Sequence, residues 1–438
     1  MLTGVEALMS WRFQSMILAL PALLFLGAGC QRQPPAPPRE IVSLHMSVIY
    51  ADAARSLAAE FERQTGIRVK VVSAPYLMLR EKEITDLANG TCYYDVMQVA
   101  QQWDGEILPH LRELGEMVAA RRLNLDDFIP AVRRNSGEWN GKTHALPLAC
   151  DVISLLYRTD VFAVRAAEYQ RQTGRKLAPP ATWDEYLEIA RFLNSETLQG
   201  NIMMGLNEQN FTVWSGILHG TGGRLVDEQW RPTLNSPAGA RSLALFLEMF
   251  RYAPPGSERL GIEEANALFL QGRGAMYLTW PTLIWAQMQD TNLCKVSGKV
   301  AAAVIPGGRP QLSAWSLGIN RACRDPEAAF AWICFLVNEV NTRRMLLDYG
   351  KGSPRASTYR DAECRRKLFY LDSVFQGLAG SVPRFRIPAS QELCDYLDMQ
   401  ISDAIAGRVT PQTALDRTAA KWRTILEAAG HSKRDPQP

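Results

Sequence analysis

The feature that most constrains this fold is an alternation of short apolar runs with amphipathic helical segments. Ile41–Met46, Ile67–Ser73 and Tyr94–Val99 are short, mainly apolar runs with the character of strands. The segments between them repeat apolar residues at helical spacing, and Gly66 and Gly90 predict where the two helices end. Strands that alternate with helices in this way pair in parallel through right-handed crossovers. The sequence therefore predicts a doubly wound α/β lobe, with a ligand beyond the carboxyl ends of its strands.

The remainder of the chain predicts a second lobe, because 438 residues are about two to three times the length of a usual domain. Asn140 and Gly141 lie between two extended runs and predict a β-hairpin. Thr182 with Glu185 forms a capping box that begins one helix, and Ser236 caps another. Further strands are predicted at Val152–Thr159, Ala275–Leu278, Val300–Pro306 and Leu312–Ile319, and further helices from Ile262, Pro326 and Thr410.

The first forty residues have the pattern of an export signal. The apolar run Met16–Gly29 is too short to span a membrane comfortably and has a basic flank, as signal peptides do. Its ending before Cys30 resembles the lipobox of bacterial lipoproteins, in which the cysteine is diacylated. The residues that follow are proline-rich and extended. We therefore expect residues 1–29 to be a signal peptide and residues 30–40 a lipidated tether. An ordinary signal peptide and a start at Met9 stay open as alternatives.

This N-terminal pattern predicts an exported protein, anchored by lipid to the outer face of the cytoplasmic membrane or held in the periplasm. Seven cysteines remain after Cys30, and disulfides persist outside the cytoplasm. We expect most of them to be isolated buried thiols, because a chain of this length can be stabilised by burial alone. The pairs Cys364–Cys394 and Cys323–Cys334 stay possible.

Charge and composition argue against several classes of function. The chain has 48 basic and 45 acidic residues, so it lacks the single-sign field that polyanions need, and we expect no nucleic-acid partner. It has five histidines and eight cysteines with no CxxC or HExxH motif, so we expect no metal site and no cofactor. It also has no GxSxG elbow, SxxK motif or phosphate loop. Eleven tryptophans, in contrast, are many for this length.

A series of segments resembles the extracellular solute-binding proteins of ABC transporters, specifically the carbohydrate-binding group that includes the maltose and trehalose binders. The resemblance covers nearly the whole mature chain and depends on the order and spacing of the segments. They are AAEFERQTGIRVKVV, YDVMQVAQQWDGEILPHLREL, NGKTHALPLACDVISLLYRTDVF, ATWDEYLEIARFLN, LHGTGGRLVDE, LFLQGRGAMYLTWPTLIW, AWSLGINRACRDPEAAFAWICFLVNE and GSPRAS.

The resemblance implies two α/β lobes joined by a hinge that closes on a sugar. It places three chain crossings near Cys150–Val152, Ser297–Val300 and Val337–Asn341. The implied first lobe comprises residues 41–150 and 300–338, and the implied second lobe comprises residues 151–299 and 339–431. Such a protein is a monomer without enzymatic activity. It binds a mono- or oligosaccharide in the cleft and delivers it to ABC permease subunits in the membrane.

Sugar chemistry gives an independent reason to examine the aromatic residues. A pyranose has a patch of C–H bonds that packs on an aromatic face, and its buried hydroxyls all need hydrogen-bond partners. Trp280 follows the strand Ala275–Leu278, and its WP segment resembles the WP-aromatic segment of the family, with Thr282 in place of the second aromatic residue. Trp315 matches the family's tryptophan on a strand at the cleft. Asp151 matches the aspartate that accepts hydrogen bonds from sugar hydroxyls.

Other candidates come from the family pattern or from position at strand ends. Arg355, in GSPRAS, matches an arginine that family members direct into the cleft. Family members often have an aspartate where this chain has Ala100, and the amides that follow could substitute. The full set of predicted ligand-binding residues is Trp280, Trp315, Asp151, Arg355, Trp103, Trp214, Tyr50 and Gln102, with His45 and Ser47 as positional candidates only.

Alternatives stay open for these residues and for the function. Each tryptophan could instead be a core residue, and Asp151 or Arg355 could lie on the surface. An exported carbohydrate-active enzyme would need a pair of carboxylates flanking the cleft, for which Asp104, Asp151 and Glu138 are available. A binding protein for a non-sugar solute would need more cationic or fewer aromatic groups.

Overall fold

The computed structural model describes residues 39–47, 49–206 and 209–431. The predicted signal peptide and Cys30 lie outside these residues, so their predictions stay predictions. Within the described residues, none of the helices has both the length and the apolar character that a membrane span requires.

The strands of the described chain form two larger sheets and one hairpin. Their bounds are β1 (Glu40–Met46), β2 (Arg68–Ala74), β3 (Val96–Ala100), β4 (Glu138–Trp139), β5 (Lys142–Thr143), β6 (Ala145–Val152), β7 (Ser154–Arg158), β8 (Gln199–Ile202), β9 (Gly274–Thr279), β10 (Val300–Val304) and β11 (Leu312–Ile319).

Helices cover both sheets and make up most of the C-terminal third. Their bounds are α1 (Ile49–Thr65), α2 (Tyr76–Asn89), α3 (Asp104–Ile107), α4 (Gly115–Ala120), α5 (Pro130–Asn135), α6 (Thr159–Thr173), α7 (Trp183–Leu193), α8 (Asn210–Gly220), α9 (Pro237–Met249), α10 (Ile262–Leu270), α11 (Pro281–Met288), α12 (Pro326–Val337), α13 (Glu339–Tyr349), α14 (Ala356–Arg360), α15 (Ala362–Lys367), α16 (Leu371–Gly380), α17 (Ser390–Ile405) and α18 (Pro411–Ala428).

The first sheet confirms the predicted doubly wound arrangement. Its order is β2-β1-β3-β11-β6, and β1 pairs in parallel with both β2 and β3. The late strand β11 is antiparallel to β3 and to β6. The core of this first lobe joins the sheet to α1 and α12 through Leu44, Phe61 and Trp332. Gly90 has φ 62° and ends α2, because a left-handed residue there satisfies the last helical carbonyls.

The second sheet has the order β10-β7-β9-β8. Strand β7 is antiparallel to β10 and β9, and β8 is parallel to β9. The core of this second lobe contains Trp214, Tyr277 and Trp422 and joins the sheet to helices α7–α9, α17 and α18. The predicted capping box at Thr182 is present, with Glu185 bonded back to the N-cap. The predicted hairpin at Asn140–Gly141 is also present, and both residues have positive φ, as a type I′ turn requires.

Two predicted lobe boundaries are wrong. Val300–Val304 was expected in the first lobe, but all five of its residues pair with β7 in the second sheet. The short connection 305–311 makes the crossing instead, since β11 then returns to the first sheet. Helix α13, expected in the second lobe, stays on the first, where Arg344 makes a 2.8 Å ion pair with Glu60 of α1. It follows α12 after the single residue Asn338, and so short a connection keeps neighbouring helices adjacent.

A third apolar cluster joins the two lobes, and we call it the hinge cluster. It comprises Ile129, Val132, Cys150, Val152, Leu312, Ala314, Leu346, Tyr359, Cys364, Leu368, Tyr370, Leu371, Val374 and Leu378. It packs α14–α16 against β6 and β11 of the first sheet, and Ala302 of β10 packs against it. Between β6 and β7 only Ile153 separates the two sheets. The seven cysteines of the described chain are free thiols, so neither possible disulfide pair is formed.

Candidate functional site

A cavity of about 250 Å³ lies between the lobes and is lined from both of them. The first lobe contributes residues at the carboxyl ends of its strands, where the sequence predicted a ligand site. The second lobe contributes the start of α11 and part of α17. The lining residues are Met46, Tyr50, Tyr76, Gln102, Asp151, Gln209, Ile262, Trp280, Thr282, Leu283, Ser313, Ala314, Trp315, Arg384, Gln391, Cys394 and Asp398.

An aromatic cluster forms the first-lobe wall of this cavity. The ring of Trp315 lies 5.4 Å from that of Tyr50 and 6.0 Å from that of Tyr76, between centroids. The pairing of β11 with β6 shifts register between Trp315 and Ser316, and a bulge of this kind redirects a side chain. Trp103 packs behind the wall, 4.9 Å from Tyr76, and is 1% exposed. The prediction that Trp103 contacts ligand is therefore wrong, because Tyr76 lies in front of it and lines the cavity in its place.

Trp280 provides an aromatic surface of the cavity from the second lobe. Pro281 begins α11, which places Trp280 in the turn between β9 and that helix. Its indole Nε1 donates a hydrogen bond of 3.3 Å to Ser313 Oγ on β11. The side chain is half-buried and packs on the second-lobe core. Trp280 and Trp315 therefore both line the cavity as predicted, one from each lobe.

Asp151 lies at the base of the cavity, near the end of β6, and is 7% exposed. Its carboxylate accepts a hydrogen bond from the Thr282 hydroxyl and another, of 2.8 Å, from the Val152 amide. Burial raises the pKa of Asp151 to about 7, and these hydrogen bonds act against that rise. The Asp151–Thr282 bond joins the two lobes, since Thr282 belongs to α11. Sequence reasoning noted Thr282 only as a missing aromatic residue and did not predict this partnership.

A polar end of the cavity combines amide and charged groups. The Gln102 amide donates to the Tyr76 hydroxyl. Arg384 donates to Thr212 Oγ1 at 2.7 Å, and its guanidinium lies 5.3 Å from the centre of the Phe211 ring. Asp398 accepts a 2.9 Å hydrogen bond from the Phe211 amide.

Gln209 Oε1 is a buried acceptor of the cavity wall that has no hydrogen-bond partner among the described residues. Such an atom can accept a hydrogen bond from a ligand hydroxyl. Of this polar end, only Gln102 was predicted from the sequence. The alternation of Arg384 and Arg386 with Phe385 and Ile387 is the one signal that could have indicated that this segment has two buried sides.

The family model for bacterial extracellular solute-binding proteins matches residues 49–342. The chain belongs to this family. As the sequence predicted, it is the solute-binding component of an ABC importer, and it acts outside the cytoplasm.

Three similar proteins cover most of this solute-binding protein. A probable amino-acid ABC transporter periplasmic-binding protein of Sinorhizobium fredii is 26% identical over 389 residues, covering 87% of this chain and 88% of its own. A mannitol-binding protein of Pseudomonas aeruginosa is 25% identical over 323 residues, covering 69% and 70%. A solute-binding protein of Agrobacterium radiobacter K84, solved with ribitol, is 26% identical with a TM-score of 0.77, covering 88% and 98%.

Besides Trp103, two predicted ligand-binding residues of the solute-binding protein, Arg355 and Trp214, lie outside the cavity lining. Arg355 is buried away from the cavity. Its Nε donates a hydrogen bond of 2.7 Å to the Val337 carbonyl, and its guanidinium pairs with Asp127 at 3.2 Å and stacks on Phe128. The Asp127 carboxylate and the Phe128 ring, next to α5, bind the guanidinium of Arg355, so the prediction that Arg355 enters the cleft is wrong. The prediction for Trp214 is also wrong.

Trp214 is fully buried in the second-lobe core. Its indole Nε1 donates a hydrogen bond of 3.0 Å to Ser242 of α9. Helix α8 is apolar on most of its faces and packs between α9 and α17, which places Trp214 in the core. The positional candidate His45 is likewise buried and contacts Ser43 and Gln98, and it does not line the cavity.

The acids considered for an enzyme do not converge in this solute-binding protein. Asp104 pairs with Arg386 at 2.9 Å, and Glu138 pairs with Arg133 at 3.2 Å. Of the three acids only Asp151 lines the cavity. Among the described residues no group of histidine, cysteine and acidic side chains is arranged to hold a metal ion.

Proposed function

We propose that this protein binds one small neutral polyol or monosaccharide between Trp280 and Trp315 and delivers it to ABC permease subunits. The observation that carries the proposal is the pairing of aromatic walls from both lobes with Asp151 at the base. Aromatic faces suit C–H patches, while a buried carboxylate suits hydroxyl donors. The unpartnered oxygen of Gln209 adds a second acceptor for a ligand hydroxyl.

Cavity size supports a ligand of one sugar unit. Its volume of about 250 Å³ lies below the range of roughly 300–1,000 Å³ that is usual for ligand pockets. The hydrogen bonds Trp280–Ser313 and Thr282–Asp151 join the two lobes at residues that line this space. A linear pentitol or hexitol, or a single pyranose, fits this volume better than an oligosaccharide does.

The similar proteins support the same class of ligand. One is named for mannitol and one was solved with ribitol, and both ligands are acyclic polyols. A third is named for amino acids, and that name supports a second candidate ligand class. An amino acid needs a cation for its carboxylate and an anion for its ammonium group, which Arg384 and Asp398 could supply. The neutral polyol is favoured because Arg384 is already bonded to Thr212 and stacked on Phe211.

The two-lobe fold supports delivery to a permease, because a ligand shifts such a protein toward closure by its differential affinity for the closed form. The protein acts as a monomer and catalyses no reaction on its ligand. Cys30 carries the lipid anchor, and the proline-rich residues after it hold the binding domain away from the membrane.

Calorimetry of the purified mature protein tests the ligand class. The panel contains ribitol, D-mannitol, D-glucose, D-galactose, maltose and a set of L-amino acids. We expect saturable binding of a polyol or a monosaccharide, and weaker affinity for it in Asp151→Asn. Asp184→Asn is the matched control, because Asp184 is an exposed second-lobe acid paired with Arg241. Binding of amino acids alone would overturn the proposal, as would binding of maltose alone.

A further inference from the structure

Residues 384–391 connect the second lobe to the first through alternating side chains. Phe385 and Ile387 pack in the second-lobe core, where Phe385 contacts Trp422. Arg386, between them, points the opposite way and enters the first lobe. Its neighbours Arg384 and Gln391 line the ligand cavity. The segment therefore belongs to the second lobe by packing, and one of its side chains is inserted in the other lobe.

The first lobe provides a hydrogen-bond acceptor for each nitrogen of the Arg386 guanidinium. Arg386 Nε donates to Asp104 Oδ2 at 2.9 Å, and one terminal nitrogen donates to the Arg134 carbonyl at 2.9 Å. The other terminal nitrogen donates to the Glu138 carbonyl. Each nitrogen of the planar fork thus has its own acceptor, an arrangement that lysine cannot reproduce. The Asp104 side chain is 0% exposed and that of Arg386 is 19% exposed.

Two further contacts bring the same segment against the first lobe. The backbone at Gly105 passes so close that a Cβ atom there would lie 2.6 Å from the Arg386 carbonyl oxygen. Trp103 Nε1 donates to Gln391 Oε1 at 3.1 Å. Trp103, which does not contact the cavity, is thereby bonded to a residue that does. The segment thus contacts the first lobe at Arg386 and at Gln391.

The charge of Asp104 makes the Arg386 contact energetically important. Burial raises the pKa of Asp104 to about 7, and Arg386 acts against that rise. Apart from Arg386, the carboxylate accepts a 3.4 Å bond from the Gly137 amide, and its Oδ1 has no hydrogen-bond partner among the described residues. Removing one partner of a buried ion pair leaves the other charge uncompensated. Separation of the two lobes here would impose that cost.

We propose that Arg386 is a positioning residue that docks residues 384–391 of the second lobe onto the first lobe and so holds the two cavity walls together. It acts through Arg384 and Gln391, which it keeps at the cavity, and it does not itself touch the ligand. The docking contacts are formed by groups of this chain alone, so they can be tested without a ligand. This proposal rests on the proposed function only where ligand affinity is the measured quantity.

Hydrogen exchange and X-ray scattering of the ligand-free mature protein at pH 8 test this docking. We expect amides of residues 384–391 to exchange about tenfold faster or more in Arg386→Ala than in the wild type, and the radius of gyration to rise. Arg241→Ala is the matched control, since Arg241 pairs with Asp184 inside the second lobe. Arg386→Lys, which keeps the charge and loses the fork, should give an intermediate effect. Wild-type exchange and radius in a folded Arg386→Ala protein would overturn the proposal.

Two replacement variants and a measurement of ligand affinity complete the test of the docking. If Arg386→Ala does not fold, Asp104→Asn and Arg386→Lys replace it, and wild-type exchange in both of these variants overturns the proposal. Ribitol affinity, measured by calorimetry, should fall at least about fivefold in Arg386→Ala and stay unchanged in Arg241→Ala. If ribitol does not bind the wild-type protein, the polyol or monosaccharide of the panel that does bind replaces it. If none of them binds, the proposed ligand class is wrong, whereas exchange and scattering still decide whether the segment is docked.

Discussion

Ligand affinity should fall as the pH is lowered from 8 to 6, and Asp151 should cause the change. Burial raises the pKa of this carboxyl to about 7. Its two oxygens already accept hydrogen bonds from Thr282 and Val152. Protonation replaces one acceptor site with a hydrogen atom, so the protonated form has less capacity to accept a ligand hydroxyl. The ligand therefore binds preferentially to the ionised form.

The magnitude follows from the titration. With a pKa of about 7, roughly nine tenths of the Asp151 carboxyls are ionised at pH 8 and about one tenth at pH 6. If only the ionised form binds, the association constant falls about tenfold over this range, or ~1.4 kcal/mol. Ligand binding then releases about 0.1 proton at pH 8 and about 0.9 proton at pH 6.

The same group affects folding stability with the opposite sign. Because the folded pKa lies above the ordinary value of 3.8, the folded protein holds a proton on Asp151 that the unfolded chain releases. The contribution of Asp151 to the free energy of unfolding is therefore largest at low pH and falls as the pH rises from about 4 to 7. Weaker binding at pH 6 cannot then be a consequence of acid destabilisation at this site.

Isothermal titration calorimetry with ribitol at pH 6, 7 and 8 measures the effect, with two buffers of different ionisation enthalpy to count released protons. Wild type and the surface variant Asp184→Asn should both show the tenfold change. Asp151→Asn should lose most of this pH dependence, and the remainder belongs to Asp104, whose pKa burial also raises to about 7. The reasoning is refuted if wild-type affinity is the same at pH 6 and pH 8, or if Asp151→Asn retains the full slope.

Three other substitutions test a ligand contact, a core residue and the lipid anchor. Trp280→Ala should weaken ligand binding by about 1–3 kcal/mol in calorimetry, with little change in the melting temperature of the ligand-free protein. Trp214→Ala should lower the free energy of unfolding by about 3–5 kcal/mol in denaturant titration and leave the affinity of the folded protein unchanged. Cys30→Ser should abolish labelling by a palmitate analogue and release the protein from membranes. Labelling that persists in this variant would contradict the assignment of the anchor.

Local sequence patterns were sufficient to predict most individual elements of this fold. The alternation in Ile41–Val99 gave the parallel part of the first sheet, because strand and helix periods differ and are visible within a few residues. Thr182 and Ser236 were predicted as helix caps and are both N-caps, since capping depends on a side chain and an amide three residues away. Family resemblance, in the order of its segments, added the two-lobe architecture.

The site was only partly predictable, because its members come from distant parts of the chain. Five predicted residues line the cavity, and they are Trp280, Trp315, Asp151, Tyr50 and Gln102. Each follows or lies within a strand, at a position that the pattern already places near the edge of a sheet. Arg384, Gln391 and Asp398 were missed because they belong to a helix or to a connection whose orientation no local pattern determines. Tyr76 follows β2 closely, so its position at a strand end could have indicated it.

The sequence by itself determined most of the strands and helices, the helix caps at Thr182 and Ser236, and that the chain belongs to a two-lobe binding family. Only the tertiary structure decided which partner each long side chain finds. Arg355 pairs with Asp127, 228 residues away, and Arg386 with Asp104, 282 residues away. Arg355 lies in a polar segment and Arg386 alternates with Phe385 and Ile387, yet neither pattern indicates which carboxylate the guanidinium will meet. The physical reason is that periodicity and capping depend on neighbours within one or two turns, whereas an ion pair depends on which surfaces the packed core brings together.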